Sequence, residues 1–146
     1  MIKITRVDER LVHGQVAFAW TNSLGADCIL VVNDEAAADK IRATTLKLAA
    51  PAGIKFSIKS VADAIVLLNG TKTDKYKVFV IVGNTDDALK LVEHVKGVDH
   101  INLGNMKKTE GRRIITNSLA VDDHDVRNIR AMAQAGQYLR IKRRMQ

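Results

Sequence analysis

The chain has 146 residues and a formal net charge of +7, with 47% hydrophobic and 27% charged residues. This length and balance predict a single folded domain over residues 1–146 and argue against global disorder. No apolar run approaches the roughly 18 residues of a membrane-spanning helix, and the charged N-terminus is unlike a secretory signal. The single cysteine, Cys28, lies in an apolar run, where a small buried side chain is expected. These features together predict a cytoplasmic protein.

The positive charge favours anionic partners such as phosphorylated ligands, acidic proteins, lipid headgroups or nucleic acid. Aromatic residues make up only 4% of the chain and do not interleave with basic ones, so no stacking platform for single strands is predicted. No zinc-finger or RNA-recognition signature occurs either. We therefore expect no nucleic-acid partner. The basic residues concentrate in one loop and at the C-terminus: Lys107, Lys108, Arg112 and Arg113, then Arg140, Lys142, Arg143 and Arg144.

Strand-like and helix-like patterns alternate along the chain. Strands are predicted at 2–7, 28–33, 55–60, 77–83, 100–104, 113–117 and 138–142, and helices at 14–24, 35–49, 60–69, 85–96 and 123–135. Several strand runs are continuously apolar, which is typical of parallel strands buried on both faces. Within helix 35–49, Ala38, Ile41, Thr45 and Leu48 recur on one face, which predicts that this face packs inward.

This alternation predicts an α/β fold with three layers, an open and mostly parallel sheet flanked by helices. The stretch 100–121 is too short for a crossover helix, so one antiparallel strand is expected near the C-terminus. In open sheets of this kind, ligands bind beyond the carboxyl ends of the strands. Polar segments reach that edge at 8–15, 33–35, 83–87 and 104–113, and the first of them carries the most chemistry.

His13 lies at the start of the first predicted helix, where free backbone N–H groups can hold an anion. Gly14 allows a bulky group to approach the backbone, and Gln15 can donate a hydrogen bond from the first turn. Arg6 and Arg10 offer planar guanidinium groups that match phosphate oxygens. This combination is suited to a phosphorylated histidine.

Asp8 could accept a hydrogen bond from one imidazole nitrogen of His13 and leave the other free as a nucleophile. The alternative is that His13 caps the helix or lies on the surface, and that the charges form a salt-bridged turn. Spacing alone leaves both interpretations open. His124, in the sequence DDHD, invites a metal interpretation, but acidic residues also favour a helix start, so no metal is predicted. No phosphate-binding glycine-rich loop occurs, so no nucleotide cofactor is expected.

The segment TRVDERLVHGQVAFAW closely resembles the opening signature of the IIB components of the mannose–fructose–sorbose family. This family belongs to the bacterial phosphoenolpyruvate-dependent sugar phosphotransferase system (PTS). The matching positions run from Arg6 through Asp8, Arg10 and His13-Gly14-Gln15-Val16 to Trp20. The segments VVNDEAAAD, LKLAAPAGIKFSI, VFVIVGN and INLGNM are also similar to the family. Members usually continue somewhat beyond the last strand, whereas this sequence stops at KRRMQ.

The resemblance implies a phosphocarrier whose His13 receives a phosphoryl group at Nδ1 from a phosphorylated IIA protein. His13 would then pass it to a sugar held by the membrane subunits IIC and IID, with which the chain would associate peripherally. Arg10 is expected to be the main clamp, and Arg6 to be secondary or structural. The basic residues Lys107, Lys108, Arg112 and Arg113 would form a rim that meets an acidic partner, unless that loop is only a solvated segment. Relatives often associate, so a homodimer is among the expected assemblies. A module that binds anions without catalysis is the alternative.

Overall fold

The structure is a computed structural model that describes residues 1–141, with only the backbone described at Ile141. The strands are β1 (Ile2–Asp8), β2 (Cys28–Val32), β3 (Lys55–Lys59), β4 (Val78–Val82), β5 (His100–Asn105), β6 (Arg113–Thr116), β7 (Leu119–Val121) and β8 (Tyr138–Ile141). The helices are α1 (Gly14–Leu24), α2 (Asp34–Ala38), α3 (Lys40–Ala49), α4 (Val61–Asn69), α5 (Thr85–His94) and α6 (Asp123–Gln134). The basic residues predicted at 142–144 lie outside the described residues.

Six strands form one sheet in the order β3-β2-β4-β1-β5-β8, and every pair in it is parallel. All five residues of β2 and all five of β4 are buried, as their continuously apolar sequences predict. The antiparallel pairing expected near the C-terminus joins β6 to β7, which form a separate two-stranded sheet. The predicted α/β fold is confirmed, and β7 is a short strand that the sequence patterns did not reveal.

Helices cover both faces of the main sheet, which gives the three predicted layers. The core on one face contains buried residues of α1, α2 and α3, including Trp20, packed against Ile29 and Phe79. The core on the other face contains buried residues of α4, α5 and α6, including Leu91 and Met132. Among residues 1–141, no helix is long and apolar enough to cross a membrane. Because all six strands are parallel, their carboxyl ends meet at one edge, where the β1–α1 connection lies.

The helix predicted at 35–49 is divided into α2 and α3. Asp39 ends α2 with extended backbone, and its carboxylate accepts hydrogen bonds from the N–H groups of Ile41 and Arg42. Asp39 is therefore the N-cap of a new helix rather than a residue within one. The restart changes which side of the helix faces inward, so that Leu46 is buried. Ile41 and Leu48, predicted to pack inward, are 81% and 82% exposed, and that prediction was wrong.

Candidate functional site

The turn between β1 and α1 alternates exposed and buried side chains. Leu11 and Val12 are buried in the core on the α1 face, whereas Arg10 before them and His13 after them are exposed. Leu11 has a φ of 61°, and its N–H donates to the carbonyl of Asp8 at 2.9 Å. A left-handed conformation is uncommon for a residue with a branched side chain and persists where surrounding contacts enforce it. Burial of Leu11 and Val12 therefore fixes a tight turn in which Arg10 and His13 face solvent.

His13 is the N-cap of α1, and its side chain makes no capping hydrogen bond. In the other five helices of residues 1–141, the N-cap side chain does accept a backbone hydrogen bond: Asn33, Asp39, Ser60, Asn84 and Asp122. His13 therefore occupies the cap position and lies on the surface, but its side chain does not cap the helix. The salt-bridged turn of the alternative interpretation is present, since Asp8 pairs with Arg6 and Arg10. The exposed side chain of His13 belongs to the residue at the start of α1, where the backbone N–H groups of the first turn have no partners within the helix. That turn contains no acidic residue to compete with an incoming anion.

Asp8 is 1% exposed and holds two arginines. Its carboxylate accepts from the Nη2 of Arg6 at 3.2 Å, and from the backbone N–H and the Nε of Arg10 at 2.9 and 3.3 Å. The hydrogen bond expected between Asp8 and the His13 ring is absent from the described residues, because both carboxylate oxygens are directed to Arg6 and Arg10. Asp8 therefore braces the guanidinium groups rather than the imidazole.

Arg6 is buried, at 6% exposure, in a slot that fits its guanidinium group. Its Cζ lies 5.2 Å from the centre of the Trp20 ring, and its Nη1 donates to Oδ1 of Asn102 at 2.6 Å. A Cβ atom at Gly104 would lie 2.1 Å from the Arg6 Cζ, so the slot requires glycine there. Burial lowers the pKa of the Arg6 guanidinium, and Asp8 raises it in opposition. Arg6 is thus a positioning residue that holds Asp8.

Arg10 differs from Arg6 in its exposure to solvent. Its side chain is 42% exposed while one edge of its guanidinium group stays tied to Asp8. Gly14 and Gln15 are also exposed, and a Cβ at Gly14 would meet nothing closer than the carbonyl of Ala49 at 3.7 Å. The exposed set is therefore Arg10, His13, Gly14 and Gln15, all within six positions of the chain. This set offers an imidazole, a guanidinium group and helix N–H groups to an anion.

The basic loop is anchored to the same turn through Glu9. The carboxylate of Glu9 accepts from the backbone N–H of Lys107 and from the Nη1 of Arg112 at 3.0 Å. Arg112 is only 16% exposed and also lies 3.8 Å from the Asp125 carboxylate. It therefore does not belong to the exposed rim that was predicted. Lys107, Lys108 and Arg113 are exposed, with Arg113 also paired to Asp123 at 3.4 Å.

Two of the other three histidines each form a hydrogen bond with a carboxylate. The His124 ring is hydrogen-bonded to Asp86 at 2.6 Å, and the His100 ring to Asp99 at 2.8 Å. Hydrogen bonds from Asn128 and His124 lower the pKa of Asp86. Within residues 1–141, no group of three or more His, Cys, Asp or Glu side chains is placed to hold a metal ion.

Comparison with known proteins identifies the family. A family model described as "PTS system sorbose subfamily IIB component" matches residues 2–145. The chain belongs to this family. The sorbose-specific EIIB component of Lacticaseibacillus casei is 37% identical over 136 residues, which cover 93% of this chain and 83% of that protein. A probable phosphotransferase enzyme IIB component of Streptococcus pyogenes is 44% identical over 106 residues, which cover 73% of this chain and 65% of that protein.

The fold of this IIB component also matches solved structures. The crystal structure of the N-acetylgalactosamine-specific IIB component 1 from Escherichia coli has a TM-score of 0.92 and 33% identity. That match covers 97% of this chain and 93% of the other. The resemblance seen in the segment around His13 is thereby confirmed at the level of family and fold.

Three residues that support the site of this IIB component were missed by sequence reasoning. Asn102 and Gly104 form one wall of the Arg6 slot, and Glu9 ties the basic loop to the turn. Asn102 and Gly104 lie in INLGN, a segment already noted as similar to the family. The parallel register pairs Arg6 with Asn102, so the contact depends on a pairing of strands distant in sequence. The available signal was that Asn102 and Gly104 interrupt the apolar residues Ile101, Leu103 and Met106 of the segment INLGNM.

Proposed function

We propose that residues 1–146 act as one IIB domain with protein-Npi-phosphohistidine–sugar phosphotransferase activity. His13 accepts a phosphoryl group from a phosphorylated IIA protein and transfers it to a sugar during uptake through the membrane subunits IIC and IID. The observation that carries this proposal is the exposed His13, whose side chain makes no capping hydrogen bond and which follows, three positions along the same turn, an exposed arginine braced by a buried carboxylate. Family membership supports the same role.

In the first transfer, one ring nitrogen of His13 forms a bond to phosphorus as the bond between phosphorus and the donor breaks. The donor keeps the bonding electron pair and takes up the proton that the His13 ring loses. In the second transfer, a sugar hydroxyl forms the new P–O bond, and the P–N bond breaks. The hydroxyl proton ends on the imidazole, which returns to its neutral form. Both steps are displacements at phosphorus that depend on alignment and charge stabilisation.

The exposed groups are proposed to bind the phosphoryl oxygens, and the buried groups to position the exposed ones. Arg10 is placed to contact phosphoryl oxygens while Asp8 holds it in orientation. The backbone N–H groups at Gly14 and Gln15 can bind the same oxygens, because the start of a helix favours negative charge. Arg6 acts through Asp8, since its own guanidinium group is buried. The exposed His13 must be reached by two different partners in turn, which requires an open site.

The exposed rim of Lys107, Lys108 and Arg113 borders this turn because Glu9 anchors the loop. Positive charge around an active site increases the rate at which an acidic partner surface associates. We propose that the rim serves the phosphorylated IIA protein, and that the chain works in the cytoplasm at the membrane, held there by IIC and IID.

Intact-mass measurement tests the proposed function. The purified chain would be incubated with phosphoenolpyruvate, the general phosphotransferase proteins and a IIA protein. We expect one phosphoryl adduct that is labile to acid, absent in His13→Ala and retained in the matched control His94→Ala, since His94 is also exposed. An adduct that persists in His13→Ala would contradict the site. The absence of any adduct with several IIA proteins would favour the alternative of an anion-binding module without catalysis.

A further inference from the structure

A second cationic site lies at the opposite edge of the sheet from β8, beside the edge strand β3. A cavity of about 400 Å³ opens between β3, the end of α4 and the loop 70–76. Its accessible apolar wall comes from the partly buried Leu67 and Tyr76, which lie over the buried Cys28, Leu30 and Val78. This volume lies within the range of roughly 300–1,000 Å³ that is typical of small-molecule pockets. Nothing in the phosphoryl transfer at His13 uses this cavity.

The charge of the cavity is one-sided. None of the described residues in its lining is acidic. Four lysines line it, two from β3 and two from the loop: Lys55, Lys59, Lys72 and Lys75. None of the four forms an ion pair within residues 1–141. A cleft of one sign of charge with apolar walls concentrates ions of opposite sign, because the walls screen the field weakly.

Two of these ammonium groups contact the ring of Tyr76. The Nζ of Lys55 and the Nζ of Lys75 each lie 5.3 Å from the centre of its ring. Cation–π contacts of this kind orient long side chains that would otherwise extend into solvent. The strand and the loop therefore present their charge to the same space. An adjoining cavity shares Lys59, Leu67 and Lys72 and extends the groove along α4, with Asp63 as its acidic lining residue.

Lysines on an edge strand have another established use, since they prevent pairing with other sheets. That use accounts for Lys55 and Lys59, which lie on β3. It does not account for Lys72 and Lys75, which come from a loop and converge on the same cavity. Nor does it account for the apolar walls, which an isolated inorganic ion would leave uncovered. The groove therefore fits a ligand with both an anionic group and an apolar part.

We propose that this groove binds an organic phosphate, with the phosphate among the lysines and the apolar body against Leu67 and Tyr76. Lysine ammonium groups bind phosphate as point charges, so the site requires no particular orientation of the phosphate. The same chemistry is offered by a soluble phosphorylated metabolite and by the headgroup region of an anionic lipid. The experiment below distinguishes these two sources.

The full chain, labelled with ¹⁵N, would be titrated with phenyl phosphate, inorganic phosphate and benzyl alcohol while amide resonances are followed by NMR. We expect saturable shifts of amides in 55–59 and 70–76 with phenyl phosphate. Its binding should be about tenfold tighter than that of inorganic phosphate, because its ring covers apolar wall. Benzyl alcohol, which lacks the charge, should bind more weakly than phenyl phosphate. In parallel, the chain would be mixed with vesicles of phosphatidylcholine, with and without phosphatidylglycerol.

The test variant is Lys72→Gln with Lys75→Gln, which removes two charges from exposed loop positions and leaves the sheet intact. Its matched control is Lys90→Gln with Lys96→Gln, which removes two exposed charges elsewhere. We expect about a tenfold loss of phenyl phosphate affinity in the first variant and less than about a twofold loss in the control. Binding to phosphatidylglycerol vesicles alone, weakened by the same variant, would support the proposal with a lipid as the source. Absence of saturable binding to every probe would overturn the proposal, as would an equal loss of phenyl phosphate affinity in the control. The lysines of β3 would then serve only to prevent pairing of this edge strand with other sheets.

Discussion

The two arginines that share Asp8 differ in what they can do. Arg6 is 6% exposed, with its guanidinium group against Trp20, Asn102 and the backbone of Gly104, whereas the Arg10 side chain is 42% exposed. The chain therefore divides one charged segment into a buried half that fixes geometry and an exposed half that can contact a phosphoryl group. The presence of a charged group near His13 in the sequence therefore does not define the role of that group. Its burial does, since a buried guanidinium group can only hold its neighbours and an exposed one can contact a ligand.

The largest expected effect on stability is at Gly104. In Gly104→Ala the new Cβ would overlap the Arg6 guanidinium group, and Arg6 has no space to withdraw without breaking its bonds to Asp8 and Asn102. We expect the free energy of unfolding to fall by about 3 kcal/mol, as measured by urea denaturation. The matched change Gly14→Ala places a Cβ in open space and should leave the free energy of unfolding unchanged. Equal stability of the two variants would show that the Arg6 slot does not support the fold.

Removing the exposed guanidinium group should affect the rate rather than the stability. We expect Arg10→Ala to slow phosphoryl acceptance by His13 about 100-fold, because a preorganised donor to the phosphoryl oxygens is lost. Its unfolding free energy should fall by about 1 kcal/mol, since the buried Asp8 keeps its bonds to Arg6 and to the backbone N–H of residue 10. Rapid-quench measurement of the adduct provides the rate. Arg42→Ala is the control, because the Arg42 side chain is 41% exposed and also pairs with an acidic residue. A normal rate in Arg10→Ala would contradict the assignment of the clamp.

A smaller effect is expected from Gly14→Ala on the same rate. The methyl group has room in the free protein, but it stands on the first turn where the phosphoryl oxygens must approach the backbone. We predict about a tenfold slower acceptance by misplacement of the phosphoryl group, with stability unchanged or slightly raised. Rapid quench and urea denaturation on one preparation give both quantities. Unchanged rates would show that the backbone at Gly14 is not part of the phosphoryl site.

The smallest effect concerns the tie between the turn and the basic loop. Glu9→Gln removes the charge that faces Arg112, and we expect a loss of less than about 1 kcal/mol in stability. Hydrogen exchange should become faster at the amides of 107–112, since local opening of the loop is easier. Glu110→Gln, on the same loop and exposed, is the control. Unchanged exchange in Glu9→Gln would mean that the loop is held by its backbone contacts alone.

The fold was predictable because its central strands are continuously apolar and its helices carry periodic apolar faces. The exposed half of the site was also visible in the sequence, since His13, Gly14 and Gln15 follow a strand and begin a helix. The contacts of the buried half were not visible, because the register between β1 and β5 brings Arg6 next to Asn102 and Gly104, which are distant in sequence. The contact of Glu9 with Arg112 likewise spans 103 positions of the chain.

Two other features depend on local geometry that residue types do not reveal. Leu11 adopts a left-handed conformation that its side chain disfavours, so no preference of leucine could have indicated it. The outward orientation of Ile41 and Leu48 follows from the helix restart at Asp39. A regular apolar spacing across that position concealed the break.

We propose that the exposed imidazole of His13 receives the phosphoryl group while the buried residues Arg6 and Asp8 stay in place. The most direct measurement is an NMR spectrum of the histidine ring nitrogens before and after incubation with a phosphorylated IIA protein. The chain has four histidines, so each ring can be followed separately. We expect that the ring resonances of His13 alone acquire coupling to phosphorus, while the indole resonance of Trp20, which packs against the Arg6 guanidinium group, is preserved. Phosphorus coupling at His94, His100 or His124, with His13 unchanged, would contradict the proposal.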